Sequence, residues 1–412
     1  MNGISGPFHN GSKSTSSPIT VEDARVVLLN NYITPHHRKI YDALAKRVGQ
    51  LTILLSTPME SNRNWKPDWG DLDVQVQKNW TITRQLKHKH GFQDANYIHI
   101  PYDTLSQLKR LKPDVLVSYE MGFRTLCSSW ARWRQQIPML MVVNISMHTE
   151  RNVVRSRQMV RHFLKRRADA ITFNGPSCRQ YLSQELGIGD DLLYHVPYAS
   201  DPDKHYLGSV NRPVEHQYDL LFTGQLASRK GIMPFTEALA NWASDNPHRS
   251  LRFRIAGDGP QRQELEQLEV PDNLSLELLG HCDPSRLVGL YAEAGIYVFP
   301  TLADEWGMVS EEAWMAGLPI LGSQFAQSFE TFNREGETGW MYQPTNPRQI
   351  YEAIDRAMNT APEKLEAMRE PCREMVQHRT PEHAADRFVE AISAAMRRHH
   401  SAGHSNRSGG KA

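Results

Sequence analysis

The sequence predicts two consecutive α/β domains, each a doubly wound parallel sheet, and three observations carry that expectation. Short, continuous, β-branched apolar runs alternate with amphipathic stretches, the alternation breaks once over 201–217, and it then resumes. A chain of 412 residues also exceeds one hydrophobic core, at roughly 150 residues per domain. Hydrophobic content of 40% and aromatic content of 9% are those of packed globular domains.

In order, the first domain's runs are VVLL (26–29), LTILLS (51–56), VLVSY (115–119), LMVVNIS (140–146) and AITF (170–173). The second domain's are YDLLFTG (218–224), LRFRIAGDG (251–259), LSLELLG (274–280), IYVFPT (296–301) and LPILGS (318–323). Continuous apolar strands separated by helices require a sheet covered on both faces. The expected divisions are a disordered tail at 1–20, domains at 21–203 and 204–380, a helix at 381–398 and a second disordered tail at 399–412. The terminal helix follows Thr380 as N-cap and aligns Ala384, Phe388, Ala391, Ile392 and Ala395 on one apolar stripe.

Charge and cysteine usage narrow the function. Lys and Arg total 47 against 46 acids, so no global field marks a nucleic-acid binder. Cys127, Cys178, Cys282 and Cys372 form no CxxC pair, which points away from a disulfide framework or zinc site. No run approaches the roughly 18–20 apolar residues of a membrane span, and residues 1–20 lack the apolar core of a signal peptide. The expectation is a cytoplasmic protein.

In doubly wound sheets, ligands bind at the carboxyl ends of the strands. Three strand-to-helix loops of the second domain are placed there: GQLASRKG (224–231), GDGP (257–260) and the segment Pro300–Pro319. In that last segment the loop carries Asp304, the chain turns at Gly307, and a helix is predicted from Met308. Its first N–H groups, at Met308 and Val309, and its dipole suit a diphosphate. Glu312 lies eight residues beyond Asp304, so the two carboxylates can flank that phosphate site.

Here the sequence resembles the retaining glycosyltransferases of family 4, also called glycosyl transferases group 1, over roughly residues 25–395 and most strongly over 218–345. The resemblance implies the GT-B architecture: two Rossmann-like domains with a deep cleft between them. That family carries a Glu-x7-Glu signature at this place. Carried over by position, Glu312 becomes the ribose ligand, and Asp304, one methylene shorter, replaces the sugar-binding Glu, with Glu305 beside it. GQLASRKG, opening at Gly224, resembles the family's phosphate loop, with Lys230 at its lysine position. Gln225 stands where the family often has Arg, so Arg229 supplies the second charge. By resemblance too, His281, Cys282 and Asp283 lie near the base, and His148 in SMHTER reaches the donor sugar across the cleft.

The resemblance implies sugar transfer from a nucleotide-diphospho-sugar to a glycan or lipid-linked acceptor, with no protein nucleophile, no metal and no other cofactor. Two alternatives share the architecture: a nucleotide-sugar epimerase, and a non-catalytic nucleotide- or glycan-binding module.

Other features have plainer readings. Glu311 is expected on a solvated helix face, and the GDGP turn serves either a ligand or a tight backbone turn. DLD at Asp71–Asp73 matches a metal-binding Asp-x-Asp, a pattern short enough to arise by chance. Residues 151–167 contain seven Arg or Lys and no acid. Helical spacing groups Val153, Met159, Val160, Phe163 and Leu164 on one face and Arg151, Arg155, Arg157, Arg161, Lys165 and Arg166 on the other. That is a helix docked on its sheet with a charged exterior, which also suits contact with anionic lipid on the inner face of a membrane.

Overall fold

The computed structural model describes residues 19–60, 66–150, 155–199 and 214–408. The expected tail at 1–18, the division at 203/204, most of the 201–217 break and residues 151–154 lie outside them. The first domain contains β1 (Arg25–Asn30), β2 (Gln50–Leu55), β3 (Asp73–Val76), β4 (Asn79–Lys87), β5 (Gln93–Pro101), β6 (Val115–Tyr119), β7 (Met139–Val142), β8 (Ala170–Phe173) and β9 (Leu193–His195). Seven of these form one parallel sheet in the order β3-β2-β1-β6-β7-β8-β9.

The second domain holds β10 (Leu220–Thr223), β11 (Leu251–Ala256), β12 (Leu274–Gly280), β13 (Ile296–Phe299), β14 (Ile320–Ser323) and β15 (Gly339–Tyr342). They form a parallel sheet in the order β12-β11-β10-β13-β14-β15. The two doubly wound domains expected from the sequence are present.

Alternation along a strand divides the core into layers. In β1, Val26 and Leu28 join the cluster under the helix Pro35–Ala45, while Val27 and Leu29 join the opposite one with Leu108 and Ala131. The helix Pro381–Ser408 returns to the first domain, where Ala384, Ala385, Phe388, Ala391, Ile392, Ala395 and Met396 enter the first cluster. Thr380 caps it, its hydroxyl accepting from the His383 N–H at 3.2 Å.

Three expectations need correction. The terminal helix runs to Ser408 rather than ending at Arg398, because His399 donates to the Gln136 carbonyl at 3.0 Å and ties the next turn to the first domain. Composition alone read that turn as a tail. The basic helix Arg155–Lys165 is rotated relative to the expected faces: Arg161 and Leu164 are buried, whereas Met159 is 72% and Phe163 45% exposed. Glu150 causes the rotation by drawing Arg161 inward to an ion pair, with the Tyr181 hydroxyl alongside. The third correction concerns a hairpin absent from the sequence reading. β4 and β5 pair antiparallel from Asn79↔Pro101 to Lys87↔Gln93, and the turn that joins them carries Phe92 onto Leu302 and Ala303 of the second domain.

Candidate active site

Strand order reverses between β1 and β6 in the first sheet and between β10 and β13 in the second. Ligands of open α/β sheets bind outside such points. The chain following these strands, Asn31, Glu120, Gln225 and Asp304, lines the inter-domain cleft. Two cavities of about 640 and 520 Å³ occupy it and meet at Asn31, Glu120, Asn144, Asp304 and Glu305. The larger is bounded by residues 30–39 of the first domain, from the end of β1 into the helix Pro35–Ala45, and by Trp306, Gly307, Met308 and Glu312 of the second.

Asp304 lines both cavities, and Lys230, which lines neither, meets its carboxylate. The turn Ser228–Lys230 follows β10, and the Leu302 N–H donates to the Arg229 carbonyl at 2.8 Å, joining the two loops. Lys230 Nζ lies 2.6 Å from Asp304 Oδ2, and Arg229 Nη1 lies 3.7 Å from the same oxygen. Burial alone pushes the Asp304 carboxyl up, but Lys230 and Arg229 outweigh it and hold the group below its ordinary range. The GDGP turn supports this loop from behind. Gly257 has φ +156°, and a Cβ there would stand 1.8 Å from the Gly224 carbonyl oxygen, so a close backbone approach requires glycine.

The helix Met308–Met315 begins where the sequence places it, with Gly307 at φ +90° as N-cap and no side chain capping it. A Cβ on Gly307 would stand 2.3 Å from the Phe299 ring. The helix therefore presents backbone N–H groups and the positive end of its dipole at the cavity wall. Glu312, one turn on, accepts from the Tyr291 hydroxyl at 3.2 Å. Tyr291 and Tyr297 both bond the Thr223 hydroxyl, at 3.0 and 2.8 Å, fixing the end of β10 against Glu312.

Glu311 contradicts its expected place on a solvated face. It is fully buried and accepts from Trp306 Nε1 at 2.6 Å and Arg379 Nε at 2.9 Å. Ser310, Ala313, Trp314 and Met315 are buried too, so this short helix is covered nearly all round. Periodicity cannot announce a covered helix.

Other sequence-predicted residues fall at different depths. Met308 and Glu305 line the larger cavity, whereas Val309 packs on the β13–β14 core and Gly224 serves the backbone contact above. His148 bridges the domains, its Nε2 2.9 Å from Glu330 and its ring stacked on Phe325 at 5.3 Å, and it lines neither cavity. His281 is exposed, Cys282 is buried, and Asp283 caps the helix Pro284–Glu293 by accepting from the Arg286 N–H at 2.9 Å. Asp73 sits on edge strand β3 and accepts from Thr52 Oγ1 at 2.8 Å. Among the described residues, no group of three or more His, Cys, Asp or Glu is arranged to hold a metal.

Sequence reasoning missed Gln327 and Glu120. Gln327 is fully buried; its amide donates to Asn174 Oδ1 at 3.1 Å and the Glu305 carbonyl at 2.6 Å, and its oxygen accepts from the Cys178 N–H at 2.7 Å. One side chain thus joins the first domain to the Asp304–Glu305 loop. Only tertiary proximity reveals it.

Comparison with known proteins finds glycosyltransferases. The sequence model of the family described as Glycosyl transferases group 1 matches residues 217–360. An uncharacterized glycosyltransferase of Methanocaldococcus jannaschii is 30% identical over 142 residues, 34% of this chain and 35% of that protein. A D-inositol 3-phosphate glycosyltransferase of Corynebacterium glutamicum is 26% identical over 191 residues, 40% of this chain and 45% of that one. The chain thus spans between a third and a half of the length of these relatives. Among solved structures, Anabaena HepE in complex with UDP superposes with a TM-score of 0.67 at 13% identity, covering 90% of this chain and 100% of that one. WaaG, a glycosyltransferase involved in lipopolysaccharide biosynthesis, gives 0.62 at 16% identity, over 89% and 99%. The fold is the GT-B architecture of these structures.

Proposed function

We propose that this chain is a retaining, metal-independent glycosyltransferase that moves a sugar from a nucleotide-diphospho-sugar to a hydroxyl of a glycan or lipid-linked acceptor, in polysaccharide assembly. The observation that carries the reading is the Lys230–Asp304 pair at 2.6 Å, set in the cleft that the uncapped N-terminus of the Met308 helix also faces. The donor's diphosphate sits at that helix end with Lys230 and Arg229 beside it, the ribose on Glu312 and the sugar near Asp304. In the transfer, the bond from the anomeric carbon to the phosphate oxygen breaks and a bond to the acceptor oxygen forms on the same face. The departing phosphate oxygen takes the acceptor's proton, so no protein nucleophile is needed. Positioning and neutralisation of the leaving group are then the protein's contribution.

The test is to incubate the protein with UDP-glucose, UDP-galactose, UDP-N-acetylglucosamine and GDP-mannose, each with oligosaccharide acceptors, and to follow nucleotide release and product anomer by NMR. Release that persists in EDTA with retained configuration is expected. An inverted product, or activity abolished by EDTA and restored by Mn²⁺, overturns the mechanism, and conversion of the donor to an epimeric nucleotide sugar without acceptor favours epimerisation.

A second reading concerns location. Exposed Met159 and Phe163 lie with exposed Arg155 on one helix, exposed Arg166 stands in the turn after it, and the neighbouring helix Phe123–Gln135 exposes Trp130 and Trp133. Apolar side chains among basic ones suit peripheral contact with an anionic leaflet. Equal sedimentation with phosphatidylglycerol and phosphatidylcholine vesicles would contradict it.

A further inference from the structure

Glu120 follows β6, where the first sheet reverses strand order, and it has φ +65°. A residue with a Cβ is uncommon there, and its persistence needs surroundings that hold it. They do: the Glu120 N–H donates to the Val142 carbonyl at 2.8 Å, and Thr125 Oγ1 donates to the Glu120 carbonyl. The conformation brings the carboxylate to the junction of the two cavities, 3.3 Å from Asn31 Nδ2 and Arg124 Nη2. Arg124 is buried, whereas the Glu120 side chain is 54% exposed. Of the residues lining both cavities, Glu120 is the first domain's carboxylate, facing Asp304 and Glu305 of the second.

The smaller cavity has a distinctive charge pattern. Three first-domain arginines line it, and each has a carboxylate within 4 Å: Arg124 with Glu120 at 3.3 Å, Arg157 with Glu150 at 3.9 Å, and Arg161 with Glu150. A phosphorylated ligand would have to compete with carboxylates already in place. A neutral sugar brings hydroxyl donors, which a carboxylate accepts, and hydroxyl oxygens, which guanidinium and amide groups reach.

We infer that Glu120 receives the attacking hydroxyl of a neutral, non-phosphorylated sugar at the acceptor's end, held in the cavity lined by the β4–β5 hairpin and these paired arginines. The inference rests on the glycosyltransferase reading. With the donor sugar near Asp304, a hydroxyl on Glu120 lies at the junction through which acceptor and donor meet. Glu120 binds and aims that hydroxyl; the proton still leaves with the phosphate.

The experiment uses the full chain and whichever of the four nucleotide sugars above it turns over. Neutral p-nitrophenyl hexosides are compared with hexose 6-phosphates as acceptors. The expected result is kcat/KM at least tenfold higher for the neutral hexosides. Glu120→Gln should raise the hexoside KM tenfold or more, with Glu120→Asp recovering part of the loss, while the nucleotide Kd by calorimetry moves less than twofold. A preference for the phosphorylated sugars, or a folded Glu120→Gln protein whose acceptor KM stays within twofold of native, overturns this inference and leaves the transferase reading standing. Failure of the native chain to turn over any donor defeats that reading, and this one with it.

Discussion

Arg379 reaches Glu311 at 2.9 Å as the chain leaves the second domain for the first. The same guanidinium donates to the Tyr198 carbonyl at 3.1 Å and lies 4.9 and 4.5 Å over the rings of Trp306 and Phe332. The helix that faces the larger cavity is thereby fastened from behind to the segment that joins the domains.

Removing one partner of a buried ion pair leaves the other charged and desolvated, at a cost of about 3–5 kcal/mol. Arg379→Met should lower unfolding stability by that order in urea melts and weaken nucleotide binding as the Met308 helix loosens. Glu311→Gln keeps an acceptor for Trp306 and should cost less. A loss for Arg379→Met below about 1 kcal/mol, the range of a surface pair, would show that the contact carries little.

Lys230→Ala should reduce turnover by roughly two orders of magnitude or more, the usual effect of removing one preorganised charge from a developing anion. Without Lys230, Asp304 also loses its nearest cation, so Lys230→Ala/Asp304→Asn separates the two effects through stability measurements. Near-normal turnover in a folded Lys230→Ala protein would remove Lys230 from the chemistry.

Glu312→Gln should weaken nucleotide binding about tenfold, the size of one charge-assisted hydrogen bond of roughly 1.5–3 kcal/mol partly retained by the amide. Calorimetry with UDP and GDP reads this directly. An unchanged Kd for both would place the ribose elsewhere.

Burial lowers the His37 imidazole to about 4. Burial, then the charges of His88, Lys89 and His148, lowers His90 to about 4 as well. The unfolded chain takes up these protons from about pH 6.5 downward, while the folded chain resists them. Stability is then unaffected above that pH, falls as pH drops towards 4, and levels off below. The slope is at most about 1.4 kcal/mol per pH unit for each group. His37→Asn should flatten part of it, and urea melts at pH 7, 6 and 5 of native and variant with the same slope would contradict the assignment.

A chain ending at Thr380 should lose much of the first domain's stability, because Phe388 and Ile392 alone represent about 1.5–3 kcal/mol each of burial. Ending at Arg398 removes the His399 bond to Gln136 and should lower the melting temperature by only a few degrees. Equal melting temperatures for native and Thr380-terminated proteins would refute the packing role.

The central strands and the Met308 helix were legible because continuous apolar runs and a glycine at a strand end report on local structure directly, whereas the short edge strands β3, β9 and β15 carry no such run. Lys230, Asp304 and Glu312 were singled out by resemblance, each at a fixed offset from such a run, and the structure brings Lys230 to Asp304 and sets Glu312 in the larger cavity. Glu311, Gln327 and Arg379 were not, since their roles arise between segments far apart in sequence: nothing local to Glu311 indicates that Arg379 will neutralise it. The hairpin escaped because its strands mix polar and apolar residues, with Trp80 and Ile82 exposed, so neither period dominates. The basic helix was misoriented because one ion pair outweighed the hydrophobic pattern.

The terminal helix also sets the order in which the protein can be made. The first domain's core includes Val26, Leu28 and Val196 but is closed by Ala384–Met396. At about 5–20 residues per second, roughly 10–40 s of synthesis separate these parts. For that interval the nascent first domain has an uncovered apolar face where the helix will dock. During translation that face stays open until the residues that cover it have been made.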